Sequence, residues 1–126
     1  MASSTILIET DRIPSGKYIR PDESIYSANG KYNATLRRDG DLVVYDNEGD
    51  RTLWSSGTAG QTSVASLVVQ EDANMVLYRK GGEPYWASDS WQKASSGIEL
   101  IMQDDGNLVL YGDGGNPIWA SDTWQG

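Results

Sequence analysis

Short apolar runs alternate with polar, turn-forming clusters along this chain, and the runs recur. Leu108-Val109-Leu110-Tyr111 follows Gln103-Asp104-Asp105-Gly106-Asn107, and Met75-Val76-Leu77-Tyr78 follows Gln70-Glu71-Asp72-Ala73-Asn74. An altered copy, Leu42-Val43-Val44-Tyr45, follows Arg37-Arg38-Asp39-Gly40-Asp41. The blocks span 37–45, 70–78 and 103–111, so their starts lie 33 residues apart both times. A tryptophan trails each block, at Trp54, Trp86 and Trp119. A constant period of this size marks a repeat architecture. No stretch keeps helical apolar spacing over about ten residues. Short, evenly spaced strands with Gly-rich turns predict an all-β fold.

Each repeat predicts three strands. In the third they are 98–103, 107–111 and 117–121; in the second, 65–70, 74–79 and 84–88; in the first, 32–37, 41–46 and 52–56. Ahead of the repeats, 5–9, 17–20 and 24–26 read as short strands. Pro14-Ser15-Gly16, Pro21-Asp22 and Asn29-Gly30 read as breaks, the last a strong hairpin signal.

Side chains alternate faces along a strand. Leu108 and Leu110 therefore share a core face, while Asn107, Val109 and Tyr111 share the other. Met75 and Leu77 oppose Asn74, Val76 and Tyr78 in the same way. A polar–apolar–polar row is not core-like, because a buried polar group without a partner is costly. Gln70 and Gln103 sit at the same hairpin mouths, with Asp72 and Asp105 in the turns. Trp54, Trp86 and Trp119 fit a shared core where three repeats meet, with sugar stacking as the other reading. Trp91 and Trp124 lie beyond the third strands, where repeat one has Ala59. They suit either packing against a neighbouring sheet or a subunit contact.

Composition narrows the functions. The 126 residues suit one domain, 1–126, with a core of its own. The formal net charge of −8 disfavours nucleic acid and anionic membranes, which reward basic surfaces. There is no Cys and no His, which removes thiolate chemistry, the usual zinc ligands and the best neutral-pH proton shuttle. No cofactor is called for. The longest early apolar run, Ile6-Leu7-Ile8, is neither a signal peptide nor a membrane span, so the expected location is cytoplasmic, with a secreted mature form as the alternative. On that expectation the sequon Asn33-Ala34-Thr35 goes unused.

Gln, Asp, Asn and Tyr together supply amide donors, amide and carboxylate acceptors, and a hydroxyl. A sugar hydroxyl both donates and accepts, and a carboxylate accepts strongly from it. A valine between them can meet the C–H face of a pyranose. The plain alternative is a tied hairpin, since Asp and Asn favour turns. That accounts for Gln and Tyr at fixed offsets less well.

The pattern Gln-x-Asp-x-Asn-x-Val-x-Tyr, followed by Trp-Ala-Ser in repeats two and three, resembles the monocot mannose-binding lectins of the snowdrop-agglutinin, or bulb, type. The resemblance covers essentially the whole chain. It implies a β-prism of three four-stranded antiparallel sheets with pseudo-threefold symmetry and one sugar site per sheet. It implies binding of D-mannose and mannose-rich glycans, without catalysis. Carried over by position, Gln70, Asp72, Asn74, Val76 and Tyr78 form one site, and Gln103, Asp105, Asn107, Val109 and Tyr111 another. Asp and Asn would hold the 2-hydroxyl, Gln the 3-hydroxyl and Tyr the 4-hydroxyl, with Val against the ring. It further implies homodimers formed by exchange of the C-terminal strand, here residues 118–124.

Two departures stand out. In repeat one, Arg37 replaces Gln and Asp41 replaces Asn, while Asp39, Val43 and Tyr45 match. That site is expected to be degenerate, with Arg37 pairing Asp39 or Asp41. The disulfide common in plant members is absent, a loss of typically ~2–4 kcal/mol. Three competing functions remain: a calcium-binding or structural repeat protein, a glycosidase, and a same-fold receptor-binding or toxin module without sugar activity. Acidic turns such as 46–50 lack the full calcium-loop spacing. Asp72 and Asp105 fall on different repeats, which argues against a catalytic pair at ~5–9.5 Å.

Overall fold

The computed structural model describes residues 10–92 and 96–126. The expected strand at 5–9 lies outside the described residues. Among the described residues twelve strands form in chain order: β1 (Arg12–Pro14), β2 (Tyr18–Ile19), β3 (Ser24–Tyr26), β4 (Tyr32–Leu36), β5 (Leu42–Asp46) and β6 (Arg51–Ser55). They continue as β7 (Val64–Val69), β8 (Met75–Arg79), β9 (Pro84–Ala87), β10 (Glu99–Met102), β11 (Leu108–Gly112) and β12 (Asn116–Ala120). They assemble into three four-stranded sheets of order β3-β4-β5-β6, β2-β7-β8-β9 and β1-β10-β11-β12. Every pairing is antiparallel.

Each repeat supplies three strands of its own sheet, as the pattern predicts. The fourth comes from the segment ahead of the repeats, which visits all three sheets in succession: β1 joins the third repeat, β2 the second and β3 the first. Each visit plants one isoleucine, Ile13, Ile19 or Ile25, fully buried. The reading of 14–16 as a break therefore needs correcting. Pro14 closes β1 opposite Glu99, and the turn is confined to Ser15-Gly16, held by Ser15 N–H to Ile98 O at 2.9 Å and Gly16 N–H to Val69 O at 2.8 Å. Proline is tolerated there because β1 is an edge strand.

The core lies between the sheets. It takes Leu36, Leu42 and Val44 from the first, Leu67, Val69, Met75 and Leu77 from the second, and Leu100, Met102, Leu108 and Leu110 from the third. Trp54, Trp86 and Trp119 pack against this cluster and meet one another edge to face, with ring centroids 5.3, 5.9 and 6.1 Å apart. Such pairs add ~0.5–1.5 kcal/mol each beyond area burial. The tryptophans form a core on the pseudo-threefold axis. Asn33 is 7% exposed and donates through Nδ2 to Asn47, so the folded chain does not offer that nitrogen as a sequon acceptor.

One irregularity repeats. The register slips between Val44 and Tyr45, between Leu77 and Tyr78, and between Leu110 and Tyr111. Each slip is a β-bulge against the third strand, placed just before the motif tyrosine. A bulge bends its strand and re-aims the next side chain.

Candidate functional site

The hairpin that carries each motif is built the same way. Gln70 O accepts from Ala73 N–H at 3.1 Å, and Gln70 N–H donates to Asn74 O at 2.9 Å. Gln103 bonds Gly106 and Asn107 likewise, at 3.1 and 3.0 Å, and Arg37 bonds Gly40 and Asp41 at 3.0 and 2.9 Å. These are three-residue hairpin loops whose last residue is left-handed: Gly40 at φ 93°, Ala73 at φ 73° and Gly106 at φ 90°. The carboxylate in each turn accepts the amide two residues on, Asp72 from Asn74 N–H at 3.0 Å and Asp105 from Asn107 N–H at 2.9 Å. That Asx arrangement uses Oδ1 and fixes the carboxylate at the mouth.

The asparagine amide is fixed from behind. Asn74 Oδ1 accepts from Ser88 Oγ at 3.1 Å and from Ser90 N–H at 3.3 Å. Asn107 Oδ1 accepts from Ser121 Oγ and Thr123 N–H, both at 3.2 Å. A backbone N–H can only donate, so the atom facing it must be the amide oxygen. The Nδ2 group is thereby turned away from the support, with no hydrogen-bond partner among the described residues. Ser88 and Ser121 in turn take the N–H of Met75 and Leu108 at 3.0 Å, which locks the support to the strand. The sequence carries a signal for this layer: Trp, then Ser two residues on, then Ser or Thr four residues on, in all three repeats.

The far end of the row is also joined. Gln70 Nε2 hydrogen-bonds Tyr78 Oη, and Tyr111 Oη donates to Gln103 Oε1. Gln103 Nε2 reaches both carboxylate oxygens of Asp105 at 3.1 Å. The Gln, Asp, Asn and Tyr of each motif thus stand together on one sheet face, all half-buried.

The valines are buried, at 4% exposure for Val76 and 3% for Val109, yet neither belongs to the core cluster. They lie on the opposite face, under the polar row. Directly opposed residues share a face. Val76 opposes Val68 and Ala87, and Val109 opposes Ile101 and Ala120. Each polar row therefore surrounds an apolar floor wider than the single valine the motif supplies.

The first repeat keeps the frame and changes the chemistry. Asp41 Oδ1 takes the place of the amide oxygen, accepting from Ser56 Oγ and Gly57 N–H at 3.0 Å and Thr58 N–H at 3.2 Å. Its second oxygen stands where the other repeats present an N–H donor. Arg37 donates to Tyr45 Oη at 3.0 Å and lies 3.4 Å from Asp39, not on Asp41, whose inner oxygen is already committed. The bond to Tyr45, then the charge of Asp39, holds its guanidinium above the ordinary pKa. Val43 opposes Thr35 and Ser55, so the apolar floor is lost as well. Among the described residues no group of three His, Cys, Asp or Glu side chains could hold a metal ion.

The fold is shared with solved lectin structures. A monomeric monocot mannose-binding lectin from Gastrodia elata is 37% identical, with a TM-score of 0.81, over 91% of this chain and 99% of that one. The mannose-specific agglutinin of snowdrop, Galanthus nivalis, solved with methyl-α-D-mannoside, is 30% identical at TM-score 0.74, over 92% and 99%. A lectin from Allium sativum is 31% identical at TM-score 0.71, over 86% and 97%. No protein-family model and no curated protein sequence matches the chain.

Proposed function

The chain belongs to the monocot mannose-binding lectins, and on that premise we propose that it holds D-mannose and mannose-containing glycans at the hairpins of repeats two and three. It is a carbohydrate-binding lectin and not an enzyme, as its structural relatives are lectins. The observation that carries the two-site reading is the orientation of Asn74 and Asn107. Each amide is forced by its Ser and Ser/Thr support to turn its N–H₂ away from the protein, two residues along the hairpin from an aspartate whose carboxylate takes its backbone N–H. That juxtaposed donor and acceptor is what one hydroxyl needs. Gln and Tyr extend the row to the next two hydroxyls, and Val76 or Val109 with its neighbours underlies the ring. Repeat one, with two acidic acceptors and an arginine tied to Tyr45, is degenerate for mannose.

Four or five hydrogen bonds at a net ~0.5–1.5 kcal/mol each, less association costs, give roughly −4 kcal/mol, or millimolar binding of one sugar. Two sites on one particle raise avidity for a multivalent glycan by ~10²–10⁴. A homodimer made by exchanging residues 118–124 would double that number. β12 pairs within its own chain here, through Leu110 and Trp119, and an exchanged strand would remake the same register. Sedimentation as a strict monomer at working concentration rules the dimer out.

The test is calorimetric titration with methyl-α-D-mannoside of the native chain, Asn74→Ala, Asn107→Ala and the double variant. Each single change removes one site and the double removes binding, while circular dichroism is unchanged. Undiminished binding by the folded double variant refutes the assignment. A native chain that takes no mannoside points to the receptor-binding or toxin reading.

A further inference from the structure

Trp91 and Trp124 are 62% and 65% exposed, the largest apolar side chains left open among the described residues. Each is held between two residues bonded to a motif. Ser90 N–H donates to Asn74 Oδ1 at 3.3 Å and Gln92 N–H to Asp72 O at 2.7 Å, so Trp91 is the single residue bridging the two. Trp124 is placed identically, between Thr123 N–H on Asn107 Oδ1 at 3.2 Å and Gln125 N–H on Asp105 O at 2.7 Å. In repeat one the corresponding anchors are Thr58 N–H on Asp41 Oδ1 at 3.2 Å and Gln61 N–H on Asp39 O at 2.9 Å. Two small residues, Ala59 and Gly60, span that gap instead. The exposed indole therefore occurs at the two hairpins with the complete polar row and is missing where the row is altered.

We infer that Trp91 and Trp124 are platforms for a second pyranose, the one glycosidically joined to the mannose held by the adjacent motif. An indole offers a broad, rigid, apolar face at small conformational cost, and pyranose rings carry a patch of axial C–H groups that fits such a face. The backbone bonds on either side fix the ring's base to the Asp and Asn that hold the first sugar. The subsite recognises a disaccharide or longer chain and adds little for a single sugar. This inference rests on the mannose reading of the motifs.

The experiment uses Asn107→Ala, which leaves the motif of repeat two alone and so removes bridging between sites. Dissociation constants for methyl-α-D-mannoside and for α-linked mannobioses are measured in that background, with and without Trp91→Phe or Trp91→Ala. The mannobiose of fitting linkage binds about tenfold tighter than the monosaccharide. Trp91→Ala abolishes that gain and Trp91→Phe keeps part of it, while the monosaccharide constant moves less than twofold. Trp124→Ala in the same background changes nothing. Equal binding of mono- and disaccharide for every linkage, or a gain that survives Trp91→Ala, overturns the platform. So does a change in sedimentation with Trp91→Ala without loss of the gain, which marks the indole as a subunit contact. Failure of the monosaccharide to bind the native chain strikes the underlying site instead.

Discussion

Ser88 Oγ donates to Asn74 Oδ1 at 3.1 Å, and that bond joins the one from Ser90 N–H in fixing which end of the amide reaches solvent. The hydroxyl also accepts from Met75 N–H and lies 2.6 Å from Ser90 Oγ, so it is fixed from three sides. Ser88→Ala leaves Asn74 held by Ser90 N–H alone and strands the Met75 amide. Mannoside affinity at repeat two falls about 2- to 10-fold, the equivalent of one hydrogen bond, and stability falls by ~1–3 kcal/mol. Titration in the Asn107→Ala background with a parallel urea melt reads both. Unchanged affinity removes the serine's orienting role.

The first repeat is repairable in part. Arg37→Gln with Asp41→Asn restores the row Gln, Asp, Asn, Val, Tyr, because Ser56 and Thr58 are already in place to orient the new amide. Titration then shows three sites in place of two. The new site is the weakest, since Thr35 and Ser55 still flank Val43. Adding Thr35→Val and Ser55→Ala narrows the gap. A stoichiometry that stays at two would mean that the motif's polar row is insufficient in this frame.

Gly106 and Ala73 occupy the same left-handed corner, yet a methyl is tolerated only in repeat two. A Cβ on Gly106 would lie 2.8 Å from Gln125 Cγ and 3.1 Å from both Thr123 O and Tyr32 Cε1. Gly106→Ala combines positive-φ strain with that overlap and costs ~1–3 kcal/mol in a denaturant melt. Binding at repeat three weakens while repeat two is unaffected, as separate titrations in the Asn74→Ala and Asn107→Ala backgrounds display.

Tyr85 ties the second repeat to the first through Oη to Gly40 O at 2.7 Å, with the Arg79 guanidinium 5.2 Å from its ring centroid. Burial pushes its phenol up to about 12, from an ordinary value of 10.0. The folded state thus keeps the proton longer than the unfolded chain does. The resulting stability is complete below about pH 10 and is lost as the pH rises to about 12. Tyr85→Phe is less stable at neutral pH by ~0.5–1.5 kcal/mol. The difference from the native chain closes across that alkaline window, as urea midpoints taken from pH 8 to 12 register.

The repeated blocks were plain in the sequence because side-chain identity carries them. The strands of the repeats, the core face of Leu108 and Leu110 and the tryptophan cluster follow directly from period-two alternation and the 33-residue spacing. β2 falls inside the stretch read as extended at 17–20, but β1 left no such trace. A strand of three residues that ends on proline reads as a break, and only the isoleucine every sixth residue, at 13, 19 and 25, ties β1 to the two strands after it. The bulges before Tyr45, Tyr78 and Tyr111 are matters of register, which no local pattern encodes. Burial of Val76 and Val109 depends on Val68 and Ile101 from a neighbouring strand, so it too lies beyond local reading.

Arg12 meets Ile101 across the seam between the first strand and the last repeat, 89 positions later in the chain. That seam completes the third sheet with a strand from the segment ahead of the first repeat. An open stack of repeats can lengthen by duplication, since each unit touches only its neighbours. Here the segment ahead of the repeats lends one strand to each of three sheets, so a fourth unit would have no strand to complete its sheet, and a lost one would leave an isoleucine without a sheet. Variation in such a frame falls on the three hairpins in place, one of which carries Arg37 and Asp41 where the other two carry amides.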